Sequence, residues 1–197
     1  MKAITKDMAV AELAGIVAEH LRSRGIDVVL SGGALVGIYS HGEYMSEDID
    51  FVTFASNKEI GPALAELGFR KGPGRHFIHP GTNLILEFPR GPLSVGEELV
   101  TTVVDLETLG GRISVLSPTD AVKDRLAAHI HWKDETPFAQ ARSIASRHEV
   151  DLDAIVSWAK AERASEEVVD RIQQMLKKCA LFRAKSVAKE QGNNPAQ

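Results

Sequence analysis

The chain has 197 residues, 44% of them hydrophobic, and one cysteine, Cys179. That length and apolar content suit one α/β domain with a helical extension, while a lone cysteine excludes an internal disulfide and fits a reducing, cytoplasmic setting. A net charge of −4 excludes a molecule that is basic all over for nucleic acid, no apolar run approaches the roughly 20 residues of a membrane span, and Met1 to Lys6 lack the apolar stretch of a signal peptide.

Val10, Leu13, Val17 and Leu21 recur at helical spacing, with Gly25 as the stop. Val28, Val29 and Leu30 form a β-branched and apolar run, the composition of a buried strand, and Ser31, Gly32 and Gly33 end it. Ala34 to Tyr39 predicts a short helix closed by His41 and Gly42, and Ser46 to Val52 opens a second strand. Along that strand Asp48 and Asp50 share one face while Ile49 and Phe51 share the other. Ser56 or Asn57 caps a helix through Leu67, with Ile60, Leu64 and Leu67 inward and Gly68 at its end. Gly72-Pro73-Gly74 marks a turn between two short strands. Leu84 to Phe88, stopped by Pro89, is apolar on both faces and reads as a central strand.

Glu87 breaks that apolar run, and a carboxylate buried there is costly unless paired or bound to a cation. Asp105 follows Thr102-Val103-Val104 and reads as a strand-end acid opening a turn through Gly110-Gly111. Arg112 to Leu116 is the last strand. Ser117-Pro118-Thr119-Asp120 then starts a helix with an N-cap serine, a proline at the first position and an acid at the third. Val122, Leu126 and Ile130 give it an inward stripe, flanked by Lys123 as a solvated lysine; Arg125 and Lys133 lie nearby.

From Thr136 onward the pattern is helical. Thr136-Pro137 starts one helix through Arg147, Asp151 caps another through Ala161, and Ser165 caps a last one. Val168, Val169, Ile172, Leu176 and Ala180 line that last helix, opposite Arg171, Lys177, Lys178, Arg183 and Lys185. The basic face reads as solvated, with an RNA contact as the alternative. The expected organisation is residues 1–135 as one domain, 136–185 as a helical subdomain, and 186–197 as a disordered tail.

A glycine pair after a strand, then Asp-x-Asp on the next strand, resembles the nucleotidyltransferase superfamily typified by DNA polymerase β. Here the pair is Gly32-Gly33 and the acids are Asp48 and Asp50. The stretch GGALVGIYSHGEYMSEDIDFV looks more narrowly like the minimal nucleotidyltransferase-like proteins, whose relatives include toxins of abortive-infection and toxin–antitoxin systems. Many of those relatives carry a basic residue shortly before the acids, where this chain has Glu43-Tyr44-Met45. The resemblance covers about residues 28 to 135 and implies a mixed sheet flanked by helices, an α/β (α+β) nucleotidyltransferase fold with a C-terminal helical subdomain.

It also implies a chemistry. Asp48 and Asp50 would hold Mg²⁺, or Mn²⁺ in its place, and a third acid would complete the metal site or accept the proton of the acceptor hydroxyl. Glu87 is the better-placed third acid and Asp105 its rival; the usual residue there is Asp. Gly32 and Gly33 would let backbone N–H groups approach phosphate, Ser31 and Ser46 would add hydrogen bonds, and Lys123 would face the triphosphate. The expected partners are an NTP and an acceptor (a tRNA end, a protein hydroxyl or a small molecule), with no membrane. The alternative is a weakly active or inactive binding module, such as one half of a toxin–antitoxin pair, with a protein partner. A histidine zinc site is not expected: His129 and His131 point about 200° apart on a helix, and His76-x-x-His79 sits beside Gly and Pro without the Glu of a zincin. Trp132 is expected to pack in the core or at a helix end.

Overall fold

The structure, a computed structural model, describes residues 3 to 192 and the side chains of residues 3 to 186. It divides into two compact units, Met1–Ser117 and Pro118–Gln197. The break lies one helix earlier than the residue-135 boundary drawn from the sequence.

The N-terminal unit begins with α1 (Val10–Ser23), β1 (Val29–Ser31), α2 (Gly32–Tyr39) and β2 (Asp48–Val52). It continues through α3 (Asn57–Glu66), β3 (Arg70–Lys71), β4 (Phe77–Ile78) and β5 (Ile85–Glu87). The hairpin of β6 (Ser94–Val95) and β7 (Glu98–Leu99) follows, then β8 (Val103–Thr108) and β9 (Gly111–Leu116). Seven strands form one sheet in the order β3-β4-β5-β2-β1-β9-β8. The sheet is mixed: β1 runs parallel to β9 and β2 parallel to β5, whereas β1 and β2 are antiparallel.

Alternation decides which face is covered. Leu30, Ile49, Phe51, Leu86, Ile113 and Val115 are fully buried and meet one another by register, Leu30 opposite both Phe51 and Val115, and Ile49 opposite Leu86. Leu13, Val17 and Leu21 of α1, Ile60 and Leu64 of α3, and Ala34 and Leu35 of α2 are buried with them. Each such fully buried Leu, Ile or Phe contributes about 1.5–3 kcal/mol. Phe88 extends this core, stacked on Phe51 at 5.8 Å and edge-on to Phe77 at 5.6 Å. The alternate residues, Ser31, Asp50 and Glu87, are half-buried on the other face. The amphipathic period of the strands therefore segregates an apolar side from a polar one.

Helix ends follow local chemistry. Ser56 and Glu59 form a capping box at α3, and the Glu59 carboxyl is held below its usual range by the Ser56 backbone N–H first and the Ser56 hydroxyl second. Gly25 and Gly68 take φ of 73° and 88° just beyond α1 and α3, which is the left-handed stop that glycine supplies. Asp105 differs from its expected place: β8 runs from Val103 to Thr108, so Asp105 lies inside a strand paired opposite Ser114, and the turn comes only at Leu109-Gly110. Six registered pairs with β9 outweigh the turn preference of a single aspartate.

The C-terminal unit is helical: α4 (Pro118–Trp132), α5 (Glu135–Arg147), α6 (Leu152–Ala161) and α7 (Glu166–Gly192). Asp134, rather than Thr136, caps α5, its carboxylate accepting from the Thr136 N–H at 2.8 Å. Asp151 caps α6 and Ser165 caps α7. The inward stripe of α4 is Val122, Leu126 and His129 instead of ending on Ile130, and α7 buries Cys179 where Ala180 was expected. Both slips are of one residue, about 100° around a helix. Trp132 is 81% exposed, contrary to the expectation of packing, because it stands at the last position of α4. α7 continues through Gly192, past the expected start of a disordered tail; Ala188, Lys189, Glu190 and Gln191 are good helix formers and Gly192 a stop. Residues 193 to 197 of that tail lie outside the described residues. Among the described residues no helix is long and apolar enough to cross a membrane.

Candidate active site

The polar face of the sheet gathers at the strand ends next to α2. Register sets Ser31 opposite Asp50, and Asp50 opposite Glu87. Three functional side-chain types therefore stand in one row across β1, β2 and β5, with neighbouring backbones about 4.8 Å apart. Asp48 lies on the same face of β2, one pleat away and exposed.

The glycine pair makes this packing feasible. Gly32 has φ of +67°, and a Cβ on it would lie 2.4 Å from the Asp50 Oδ2. A Cβ on Gly33 would lie 3.0 Å from the Ser46 Oγ. Only backbone without side chains lets Asp50 and Ser46 come up against the first turn of α2, where N–H groups carry partial positive charge. Ser46 shapes the approach to β2: its hydroxyl donates to the Asp48 carbonyl at 2.9 Å and accepts from the Asp48 N–H at 3.2 Å. Ser31 occupies the N-cap position of α2 without a side-chain capping bond.

Glu87 is not alone at its end of the row. The His76 Nε2 lies 2.6 Å from its Oε1 and the Arg75 Nη2 3.6 Å from its Oε2. Its side chain is 18% exposed, which such partners make tolerable. Sequence reading set His76 aside as a weak zinc ligand and did not single out Arg75. The signal that finds them is the register: Phe77 pairs with Leu86 in an antiparallel ladder, which places residue 76 across from residue 87.

Asp105 is elsewhere. The Ser114 hydroxyl donates to its Oδ1 at 2.7 Å, and the Arg112 Nη1 lies 3.4 Å from its Oδ2. Its register partner Ser114 aligns with Val29, not with Ser31, and β8 is three strand spacings, about 14 Å, from β2. The structure brings Glu87 beside Asp50 and leaves Asp105 apart.

Lys123 also departs from expectation. It belongs to the C-terminal unit, is only 5% exposed, and its Nζ lies 3.7 Å from the Asp120 Oδ1. It sits next to the buried Val122 on α4, so it points inward and not into solvent. Arg125 binds its neighbour Asp124 at 2.5 and 2.9 Å. The histidines have structural partners: the His129 Nδ1 meets the Asp134 carbonyl at 2.7 Å, and the His79 Nδ1 accepts from the Gly81 N–H at 2.9 Å.

Among solved structures, the chain is similar to an antigenic nucleotidyltransferase-like protein from Paracoccidioides brasiliensis, at 17% identity over 93% of each chain with a TM-score of 0.51. The fold is nucleotidyltransferase-like. Two structures of the antibiotic-resistance factor ANT(2″)-Ia align more loosely, at 13% identity. A solution structure covers 89% of this chain and 92% of that one with a TM-score of 0.42. A crystal structure in complex with adenylyl-2″-tobramycin covers 87% and 95% with a TM-score of 0.43. No family model matches, and no curated protein matches.

Within this nucleotidyltransferase-like fold, Asp48 and Asp50 are an oxygen-only donor pair on one strand face, the chemistry that Mg²⁺ takes from protein while it keeps water and phosphate as other ligands. Among the described residues no three His, Cys, Asp or Glu side chains gather as a metal cluster. Glu87 stands next to Asp50 in register but is turned to His76.

Proposed function

We propose that the protein transfers a nucleoside monophosphate from an NTP to an acceptor hydroxyl, releasing pyrophosphate. The observation that carries this reading is the single row of Ser31, Asp50 and Glu87 against a glycine turn that opens a helix. Asp48 and Asp50 would hold Mg²⁺, with Mn²⁺ as a substitute, and the bound ion would supply positive charge to the phosphate oxygens. The N–H groups of Gly32 and Gly33 and the hydroxyls of Ser31 and Ser46 would bind the departing phosphates, as helix starts bind anions generally. The acceptor oxygen bonds to the α-phosphorus as the bond to pyrophosphate breaks, and the hydroxyl proton passes to the Glu87 carboxylate. Lys123, buried on Asp120, is a weaker candidate for a triphosphate contact than its sequence position implied.

Calorimetric titration of each NTP, with Mg²⁺ and with EDTA, tests the reading. Binding that needs the metal is expected. Equal affinity in EDTA, or no binding of any NTP at millimolar concentration, would sink it. A second reading, a weakly active or inactive binding module such as half of a toxin–antitoxin pair, draws on one observation: the Glu87 carboxylate is already engaged by His76. In that case NTP binds with metal and no label reaches any acceptor. A cytoplasmic setting remains part of this proposal.

A further inference from the structure

The order of groups along the site row says something about the acceptor, given the nucleotidyl transfer proposed above. At one end are Ser31 and the glycine turn that opens α2, the anion-binding end. Asp50 follows, then Glu87, then Arg75 and His76 on the segment between β3 and β4. In a phosphoryl or nucleotidyl displacement the attacking and leaving oxygens lie on opposite sides of phosphorus. If pyrophosphate leaves toward the α2 start, the acceptor arrives from the Glu87 end.

That end presents an exposed guanidinium. The Arg75 side chain is 75% exposed and lies 3.6 Å from Glu87, longer than a close charge-assisted hydrogen bond. His76 makes the short contact to Glu87, at 2.6 Å, so Glu87 keeps a partner when the guanidinium turns outward. The β3–β4 ladder, with Arg70 opposite Ile78 and Lys71 opposite Phe77, anchors the base of the turn that presents Arg75, and the Gly72 N–H donates to the His76 carbonyl at 2.9 Å. The Lys71 Nζ, 4.5 Å from the Phe77 ring centroid, lies with Phe77 and Leu86 on the other face of the sheet, so Arg75 is the guanidinium that faces the acceptor side. A planar guanidinium is suited to bidentate capture of phosphate or carboxylate.

We infer that Arg75 selects the acceptor, and that the acceptor carries a phosphate near the hydroxyl that receives the nucleotide. A cationic acceptor would meet Arg75 as a like charge at close range. The phosphate source is either the end of an RNA or a phosphorylated small molecule, and the chemistry that Arg75 reads is the same in both.

The test is transfer of label from α-labelled NTP by the full chain to three probes: total RNA, a mixture of ribose 5-phosphate and glucose 6-phosphate, and the polycationic sugar kanamycin. Label is expected in the RNA arm or the sugar-phosphate arm, and which one identifies the source. Arg75→Glu should raise KM for that acceptor at least tenfold while KM for the NTP stays within twofold, and Arg75→Lys should recover part of the loss. A purely structural role for Arg75 would instead lower the melting temperature and alter both constants together. Label in kanamycin alone, or an unchanged acceptor KM in Arg75→Glu, overturns the inference and leaves nucleotidyl transfer standing. Label in none of the probes despite metal-dependent NTP binding overturns the phosphate-bearing acceptor. Absence of NTP binding overturns the transfer reading and this inference with it.

Discussion

Replacing Gly32 with alanine tests whether the glycine turn and Asp50 are built as one unit. Two separate costs are expected. The first is backbone: Gly32 sits at φ of +67°, where an L-residue is disfavoured by about 1–2 kcal/mol. The second is contact: the new methyl would lie 2.4 Å from the Asp50 Oδ2, roughly 1 Å inside ordinary van der Waals separation, so the carboxylate must swing away from its position. Driving a short side chain off its rotamer costs about 0.5–1.5 kcal/mol. The sum is about 1.5–3.5 kcal/mol, or a fall in Tm of roughly 3–14 °C for a chain of this size. The two costs separate in a double-mutant cycle. In an Asp50→Ala background the contact term vanishes and Gly32→Ala should cost only the backbone part, leaving a coupling of about 1 kcal/mol. Chemical denaturation of the four proteins measures this. Additive effects would mean that Asp50 does not rest against the α2 start. A Gly32→Ala protein within about 0.5 kcal/mol of wild type, the range of an ordinary surface substitution, would refute the left-handed turn itself.

Thermal melts with and without Mg²⁺ distinguish the acids: Asp50→Asn should melt at or above wild type, because like charges on adjacent strands repel by about 1–3 kcal/mol between the dielectric limits of water and ~20, and it should lose any metal-induced stabilisation. Glu87→Gln should melt lower, by about 1 kcal/mol, as the contacts to His76 and Arg75 weaken, whereas Asp105→Asn should keep its metal response because it is three strands from β2. Lys123→Ala should destabilise by about 1–3 kcal/mol, since it removes a buried side chain beside Asp120, and Lys123→Met should cost less; a wild-type melting temperature in Lys123→Ala would contradict the burial of this lysine. The Glu135 carboxyl is held below its ordinary value of 4.5, chiefly by hydrogen bonds from Arg171. A depressed folded value means stability present above the unfolded value and lost as pH falls through the folded one. The gap in Tm between wild type and Arg171→Met should therefore be largest above pH ~5 and narrow below pH ~4. A small residue should persist in acid because Arg171 also lies 4.1 Å over the Phe138 ring. A gap that does not change with pH would discard the ion pair as its source.

The sequence by itself determined what neighbours along the chain control. The alternation of Asp48-Ile49-Asp50-Phe51 assigned faces to β2, because successive side chains of a strand must point oppositely. The glycine pair marked a turn, Ser56, Asp151 and Ser165 marked helix starts, and Gly25 and Gly68 marked stops, since capping and left-handed φ are settled within a few residues. The resemblance carried by Gly32-Gly33 and Asp48-x-Asp50 agrees with the nucleotidyltransferase-like fold. What only the tertiary structure decided was which strand lies beside which. The separation of Glu87 and Asp105 from Asp50 along the chain says nothing about distance. The sheet order puts β5 next to β2 and β8 three strands away. The same register brings His76 to Glu87. Helical phase was equally a matter of packing: one residue, about 100°, separates the expected Ile130 from the buried His129 and the expected Ala180 from the buried Cys179, while Lys123 is buried beside Val122. Local patterns fix a helix's existence more firmly than its rotation, because rotation is chosen by the neighbours it must bury against. In the same way an alternating strand fixes its two faces, while its partners are chosen by the long-range packing that covers the apolar one.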